Sequence, residues 1–232
     1  MDRNSYVIEQ FKSADITINE EQAYKYIRLC DYMVEYNKNV NLTAITEFED
    51  VVMKHFIDSV LPFSCLDIDE GSSFIDVGTG AGFPSLPLLI YRPDLKGTLC
   101  DSLNKRCVYL EKVCAELEIQ AEVIHARSEE LGRKKRECFD FSTARAVAAM
   151  PILMEYCLPF VKVGGSFIAL KSVNEDIIDA QNAAALLGGK IEKVSDYSLP
   201  NGDARRLVIT KKIKQTPTKY PRNSGIISKK PL

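Results

Sequence analysis

The chain has 232 residues, 46% of them hydrophobic, with 30 Lys or Arg against 32 Asp or Glu and a formal charge of −2. That much apolar material fills one complete core and suits one large domain with at most a small appendage. No stretch is apolar for long enough to cross a bilayer, and the amino-terminal MDRNSYVIEQFKSAD carries acids where a secretory signal needs an apolar core, so a cytoplasmic protein with no membrane partner is expected.

In chain order, residues 20–38 place Ala23, Ile27, Cys30 and Val34 on one helical stripe, and 47–63 form a second predicted helix with acids in its first turn and Pro62 near its end. The rhythm then changes. A strand at 73–77 leads to a helix at 84–91, a strand at 97–101 to a helix at 103–118, and strands at 121–126 and 138–144 to a helix at 150–161. A strand at 165–171 and a helix at 175–187, ended by Gly188-Gly189, precede a hairpin of 190–199 and 204–213 across PNGD.

Strands alternating with helices imply a doubly wound α/β domain with a mostly parallel seven-stranded sheet, and the closing hairpin implies one antiparallel strand. The expected organisation is a helical extension over 1–69, the α/β domain over 70–213, and a basic carboxyl segment over 214–232, packed on or flanking that domain. Seven cysteines include no C-x-x-C pair. Cys100, Cys107 and Cys114 recur at helical spacing, so reduced core thiols and no metal site are expected.

Ligands of such sheets lie beyond the carboxyl ends of the strands, where the strand order reverses. Here those ends deliver Asp76 and a glycine turn, then Asp101, then Arg127-Ser128-Glu129, then Arg145. The turn reads D-x-G-x-G-x-G, with Gly78, Gly80 and Gly82. A dinucleotide fingerprint would need its third glycine at 83, where Phe83 stands instead and crowds a pyrophosphate. Asp101, 23 residues after Gly78, can accept hydrogen bonds from both hydroxyls of a ribose or can cap a helix. A glycine turn and a ribose acid without a phosphate cradle point to a phosphate-free nucleoside cofactor, and S-adenosylmethionine fits. Arg145 can bind a cofactor carboxylate or a substrate phosphate, or can pair with an acid.

These residues, together with NLTAI (41–45), KHFIDSV (54–60), DVGTGAGFP (76–84), LCDSLNKR (99–106), ARSEE (126–130), TARAVA (143–148) and TPTKYPRNSG (216–225), run nearly end to end along the chain. In them the sequence resembles the RsmG family, formerly GidB, of small-subunit ribosomal RNA guanine-N7 methyltransferases. The resemblance implies a Rossmann-like Class I fold and S-adenosylmethionine-dependent methylation of one guanine in the 530 loop of 16S rRNA, within the small ribosomal subunit. By motif match the cofactor would touch Gly78, Gly80, Gly82, Phe83, Asp101, Ser128, Glu129 and Arg145, with Ser128 and Glu129 beside the adenine. Ser85, Ser128 and Lys54 stand where the family often has Gly, Ala and Arg.

The N7 atom of guanine carries a lone pair and no proton, so its methylation is an in-line displacement that needs no general base. Neither the N-P-P-Y run of amino-group methylation nor the Pro-Cys pair of cytosine carbon-5 methylation occurs in the chain. His55 and His125 read as structural. Arg145 and Lys171 are positioning candidates at the active edge.

Residues 204–232 hold nine Lys or Arg and no acid, which leaves 21 bases against 32 acids before them. Arg205, Arg206, Lys211, Lys212, Lys219 and Arg222 are therefore the candidate RNA contacts. A monomer that binds no DNA is expected. A small-molecule methyltransferase, a nicotinamide-dependent oxidoreductase and a non-catalytic RNA-binding assembly factor are the competing readings of the sequence.

Overall fold

The computed structural model describes residues 2–145, 148–174, 177 and 179–232. Seven strands form one sheet in the order β3-β2-β1-β4-β5-β7-β6. They are β1 (Ser73–Val77), β2 (Lys96–Asp101), β3 (Ala121–His125), β4 (Phe139–Arg145), β5 (Val161–Lys171), β6 (Gly189–Ser198) and β7 (Ala204–Lys212). β7 alone runs against its neighbours, antiparallel to both β5 and β6. The expected α/β class, with one antiparallel strand, is what forms.

Ten helices cover the sheet among the described residues: α1 (Arg3–Ser13), α2 (Glu20–Asn37), α3 (Phe48–Val51), α4 (Asp58–Ser64), α5 (Ser85–Tyr91), α6 (Asn104–Glu116), α7 (Ser128–Lys134), α8 (Met150–Cys157), α9 (Ala180–Leu186) and α10 (Ser224–Lys229). A single π-helix, Val52–Ile57, joins α3 to α4. None of the described helices is long and apolar enough to cross a membrane.

The central strands are buried on both faces, which is why they read as apolar runs rather than as alternation. One face is covered by the amino-terminal helices with α5 and α6, where Val7, Phe11, Tyr26 and Phe56 share a core with Phe74, Leu99 and Tyr109. The other carries α7, α8 and α9 around Ile75, Phe160, Phe167 and Leu187. The helical extension is thus one layer of the sandwich.

Two elements differ from the sequence expectation. Within the helical extension expected over 1–69 the first individual helix is expected at residue 20, yet α1 forms before it: Asp2 Oδ1 accepts from the Ser5 amide at 2.9 Å as an N-cap, and Val7 and Phe11 fall one turn apart on the buried face. Phe11 stacks on Tyr26 at 4.7 Å. The helix expected over 47–63 is interrupted by the π-helix, for a reason that lies in the site below. Residues 175, 176 and 178 of the helix expected over 175–187 lie outside the described residues, and α9 begins at Ala180.

Candidate active site

Strand register brings the carboxyl ends to one edge. Val77 lies beside Cys100, Asp101 beside His125, Asp76 beside Thr143, Arg145 beside Leu170 and Lys171 beside Arg206. The strand order reverses between β1 and β4, and the glycine turn sits there.

In that turn Gly78, Gly80 and Gly82 all have positive φ (73°, 62° and 91°). The Gly80 amide donates to Asp101 Oδ2 at 3.0 Å and the Leu103 amide to Asp101 Oδ1 at 2.9 Å, so Asp101 splints the turn to the loop after β2. A side chain at Gly80 would meet open space, its nearest neighbour being Gly78 O at 3.9 Å. Gly82 is different: a Cβ there would lie 2.3 Å from Leu86 Cδ1 and 3.1 Å from Leu110 Cδ2. Its missing side chain serves helix packing, and Gly82 lines neither cavity described below.

Two cavities open on this edge. The first, of about 150 Å³, is lined by Gly78, Asp101, Ser128, Glu129, Tyr156 and Ser224. Glu129 is buried and makes no hydrogen bond among the described residues. A buried carboxylate without a donor is costly unless a ligand or solvent supplies one. Asp76 Oδ1, at the end of β1, is likewise buried without a donor, and burial pushes that carboxyl up to about 7 although Ser85 Oγ donates to Oδ2 at 2.5 Å. The Glu129 carboxylate in the lining and the open space at Gly80 fit a nucleoside that carries hydroxyls, whereas Asp76 lines neither cavity.

The second cavity, of about 380 Å³, is lined by Lys54, His55, Asp58, Arg145, Lys171 and Arg205, with Leu170 as apolar floor. Arg145 belongs to this cavity and is absent from the lining of the first, so the cofactor-carboxylate role expected of it has no support in the geometry. Its guanidinium faces Asp58 Oδ2 at 3.3 Å, Ser59 Oγ at 3.3 Å, and the carbonyls of Lys54 and His55 at 3.4 and 3.5 Å. Those two carbonyls lie within the π-helix. The wider turn lets them face a cation that a regular helix would exclude, which accounts for the break in the expected helix.

Asp58 also accepts from Arg205 Nε at 3.0 Å. Burial pushes its carboxyl above the usual range, while Arg145 and Arg205 oppose the shift. Burial lowers the Arg145 guanidinium, which Asp58 and Asp76 oppose. Phe83, which closes the glycine turn, packs against residues of the second cavity: His55 stacks on it at 4.4 Å and the Arg145 guanidinium lies 5.0 Å above it. Phe83 is thus buried against the second cavity rather than exposed to the first.

Lys171 lines the second cavity and donates to Ala148 O at 2.6 Å. The expected RNA contacts separate. Arg205 lines the same cavity, and Lys219 is exposed. Arg206 makes a bidentate pair with Asp196 at 2.7 and 2.8 Å. Lys211 and Lys212 lie at the opposite end of the sheet, where Lys211 pairs with Ser166. Lys212 is buried, bonded to Leu158 O and Thr216 Oγ1 at 2.7 Å and to Glu137 at 3.3 Å; burial lowers its ammonium to about 8. Arg222 is paired with the buried Glu155 at 2.6 Å. Lys212 is therefore withdrawn as a phosphate contact because it is buried and already paired, and Arg222 because its half-buried guanidinium is committed to Glu155.

The family described as GidB: rRNA small subunit methyltransferase G matches residues 20–207. The chain belongs to that family. It is a methyltransferase. It is 48% identical to the ribosomal RNA small subunit methyltransferase G of Alkaliphilus metalliredigens, over 93% of this chain and 92% of that one. To the protein of the same name from Leuconostoc mesenteroides it is 46% identical over 99% of both. Among solved structures, precorrin-6y C5,15-methyltransferase from Geobacter metallireducens shares the fold at a TM-score of 0.54, with 11% identity over 75% of this chain and 92% of that one.

Sequence reasoning singled out neither Asp58 as the acid of the second cavity nor Thr43, which holds His55 from behind at 2.9 Å. The NLTAI and H-x-x-D-S motifs were the available signal, since both residues lie within them.

Proposed function

We propose that the protein methylates N7 of a guanine in the 530 loop of 16S rRNA, in the cytoplasm and as a monomer. The nucleoside of the cofactor lies in the cleft of Gly78, Asp101 and Glu129, and the target base in the cavity of Arg145 and Asp58. S-adenosylmethionine, when bound, supplies an electrophilic methyl group. The guanine N7 lone pair would attack that methyl carbon in line, the N7–methyl bond forming as the methyl–sulfur bond breaks and S-adenosylhomocysteine leaves, with no proton to remove and no covalent intermediate on the protein.

The observation that carries this reading is the chemistry of the second cavity. Lys54, Arg145, Lys171 and Arg205 surround it, and Asp58 is its one lining carboxylate. Such a lining suits a base presented on a phosphate backbone. His55, the residue that would serve as general base, is held neutral: burial and Arg145 lower its imidazole to about 3. Its Nδ1 faces Arg145 at 3.3 Å and its Nε2 faces Thr43 Oγ1 at 2.9 Å, so both ring nitrogens are occupied. A site that leaves no free base matches an acceptor atom that needs none. The product base is cationic, and Asp58 is the acid placed to face it.

The test is transfer of labelled methyl from S-adenosylmethionine to purified 16S rRNA and to 30S particles, followed by digestion to nucleosides. Label in 7-methylguanosine, with faster turnover on 30S particles than on the purified RNA, is expected. Label in another nucleoside, or none on either substrate, contradicts the reading.

A further inference from the structure

The segment 214–232 is not a free basic arm. Thr216 is buried, its amide donating to Glu137 Oε1 at 2.9 Å and its hydroxyl to Leu187 O at 2.7 Å. Arg136 donates to Tyr220 O at 2.7 Å and Thr216 O at 2.6 Å, and the Tyr220 ring is buried in the core of the α7–α8 face. Arg133 donates to Pro221 O at 3.1 Å and Asn223 Oδ1 at 2.7 Å. Arg222 then latches onto Glu155 of α8 with three side-chain hydrogen bonds of 2.6–3.0 Å, and its backbone amide adds a fourth at 2.7 Å. Ile227 of α10 is buried behind this latch.

The anchoring has a destination. Glu155 has no exposure to solvent, so without Arg222 it would be an uncompensated buried charge. The residue after Glu155 is Tyr156, and two residues after Arg222 is Ser224; both line the cleft that also contains Gly78, Asp101 and Glu129. The latch therefore sets the position of both residues on one wall.

We infer that Tyr156 and Ser224 form a wall of the nucleoside site, and that the 216–229 strap is a working part of cofactor binding held in place by the Arg222–Glu155 pair. The inference rests on reading that cleft as the seat of the S-adenosylmethionine nucleoside. Ser224 contributes a hydroxyl and Tyr156 a ring to a pocket whose lining also holds the Asp101 and Glu129 carboxylates, Arg127, Ser102 and Ser128. Arg222 acts on the cofactor through the strap.

Isothermal titration of the full-length protein with S-adenosylhomocysteine and with 5′-methylthioadenosine, which lacks the amino-acid end, tests the assignment. Ser224→Trp fills the cleft and is expected to weaken both ligands by about tenfold or more, with Tm held close to that of the unaltered protein. Arg222→Ala releases the strap and is expected to weaken both by a similar factor while also lowering Tm. Hydrogen exchange of the unaltered protein adds a readout that needs no variant: amides within 216–229 should slow when S-adenosylhomocysteine is added. A folded Ser224→Trp or Arg222→Ala protein with unchanged affinity overturns the inference, as do unchanged exchange rates. Loss confined to S-adenosylhomocysteine also overturns it, because it would place the strap at the amino-acid end. Failure of the unaltered protein to bind either ligand would instead overturn the cofactor reading on which the inference rests.

Discussion

Arg145 Nη2 lies 3.3 Å from Nδ1 of His55. Arginine only donates, so Nδ1 is the acceptor, the imidazole proton sits on Nε2, and Nε2 donates to Thr43 Oγ1 at 2.9 Å. This neutral imidazole, bonded at both nitrogens, spaces Arg145 from the NLTAI loop. Asn37 fastens that loop in turn, accepting from the Leu42 and Thr43 amides at 2.7 and 3.1 Å.

The first consequence concerns pH. In the unfolded chain His55 titrates near 6.5, whereas in the folded protein burial and Arg145 lower it to about 3. Between those values the unfolded chain binds the extra proton. The stability supplied by the neutral imidazole is therefore complete above pH 6.5 and is lost as pH falls toward 3, with a limiting slope of roughly 1.4 kcal/mol per pH unit. Chemical denaturation from pH 4 to 7 should show a flatter profile for His55→Asn than for the unaltered protein. Parallel profiles would mean that His55 titrates normally in the fold.

Thr43 gives a second. Thr43→Val leaves the His55 Nε2–H and the Ile45 amide without their acceptor, at a cost of about 1–3 kcal/mol. Thr43→Ser keeps the hydroxyl and should retain most of the stability and the methyl-transfer rate. Equal losses in the two variants would show that the hydroxyl is not what matters.

The glycine turn gives a third, as a contrast. Gly82→Ala drives a Cβ into Leu86 and should destabilise by about 2–3 kcal/mol, because strain at positive φ adds to the clash. Gly80→Ala meets no such neighbour. It should cost about 1 kcal/mol of stability and show its main effect as weaker S-adenosylhomocysteine binding in a thermal-shift titration. The reverse pattern would exchange the roles assigned to the two glycines.

Glu129 gives a fourth. The carboxylate is buried but makes no hydrogen bond among the described residues. Glu129→Gln should leave the apoprotein Tm within about 2 °C and reduce S-adenosylhomocysteine affinity by about tenfold. A large loss of Tm with affinity intact would make Glu129 a structural residue.

The sheet was legible because parallel strands buried on both faces read as short apolar runs, each closed by a polar residue that marks the active edge. Asp101 and Glu129 fall where those runs end, so these two lining residues of the first cleft stood out in the sequence, whereas Tyr156 and Ser224, which reach it from a later helix and the carboxyl segment, did not. The second cavity could not. The π-helix that presents the Lys54 and His55 carbonyls depends on Arg145, which arrives about ninety residues later in the chain, and local periodicity carries no trace of so distant a partner. The basic carboxyl segment misled for the same reason. Lys212 and Arg222 are neutralised by Glu137 and Glu155, 75 and 67 residues away, and a count of charges does not reveal that they are paired. The short helix α1 escaped notice because Val7 and Phe11 alone among its residues are buried.

The central claim is that this edge of the sheet brings a guanine N7 to a methyl donor. It is tested most directly by nucleoside-resolved mapping of 16S rRNA from cells lacking the gene and from the same cells carrying it on a plasmid. The expected result is a single 7-methylguanine in the 530 loop, missing from the first sample and restored in the second. An unmodified loop in both samples, or a methyl group in the loop of both, would contradict the account.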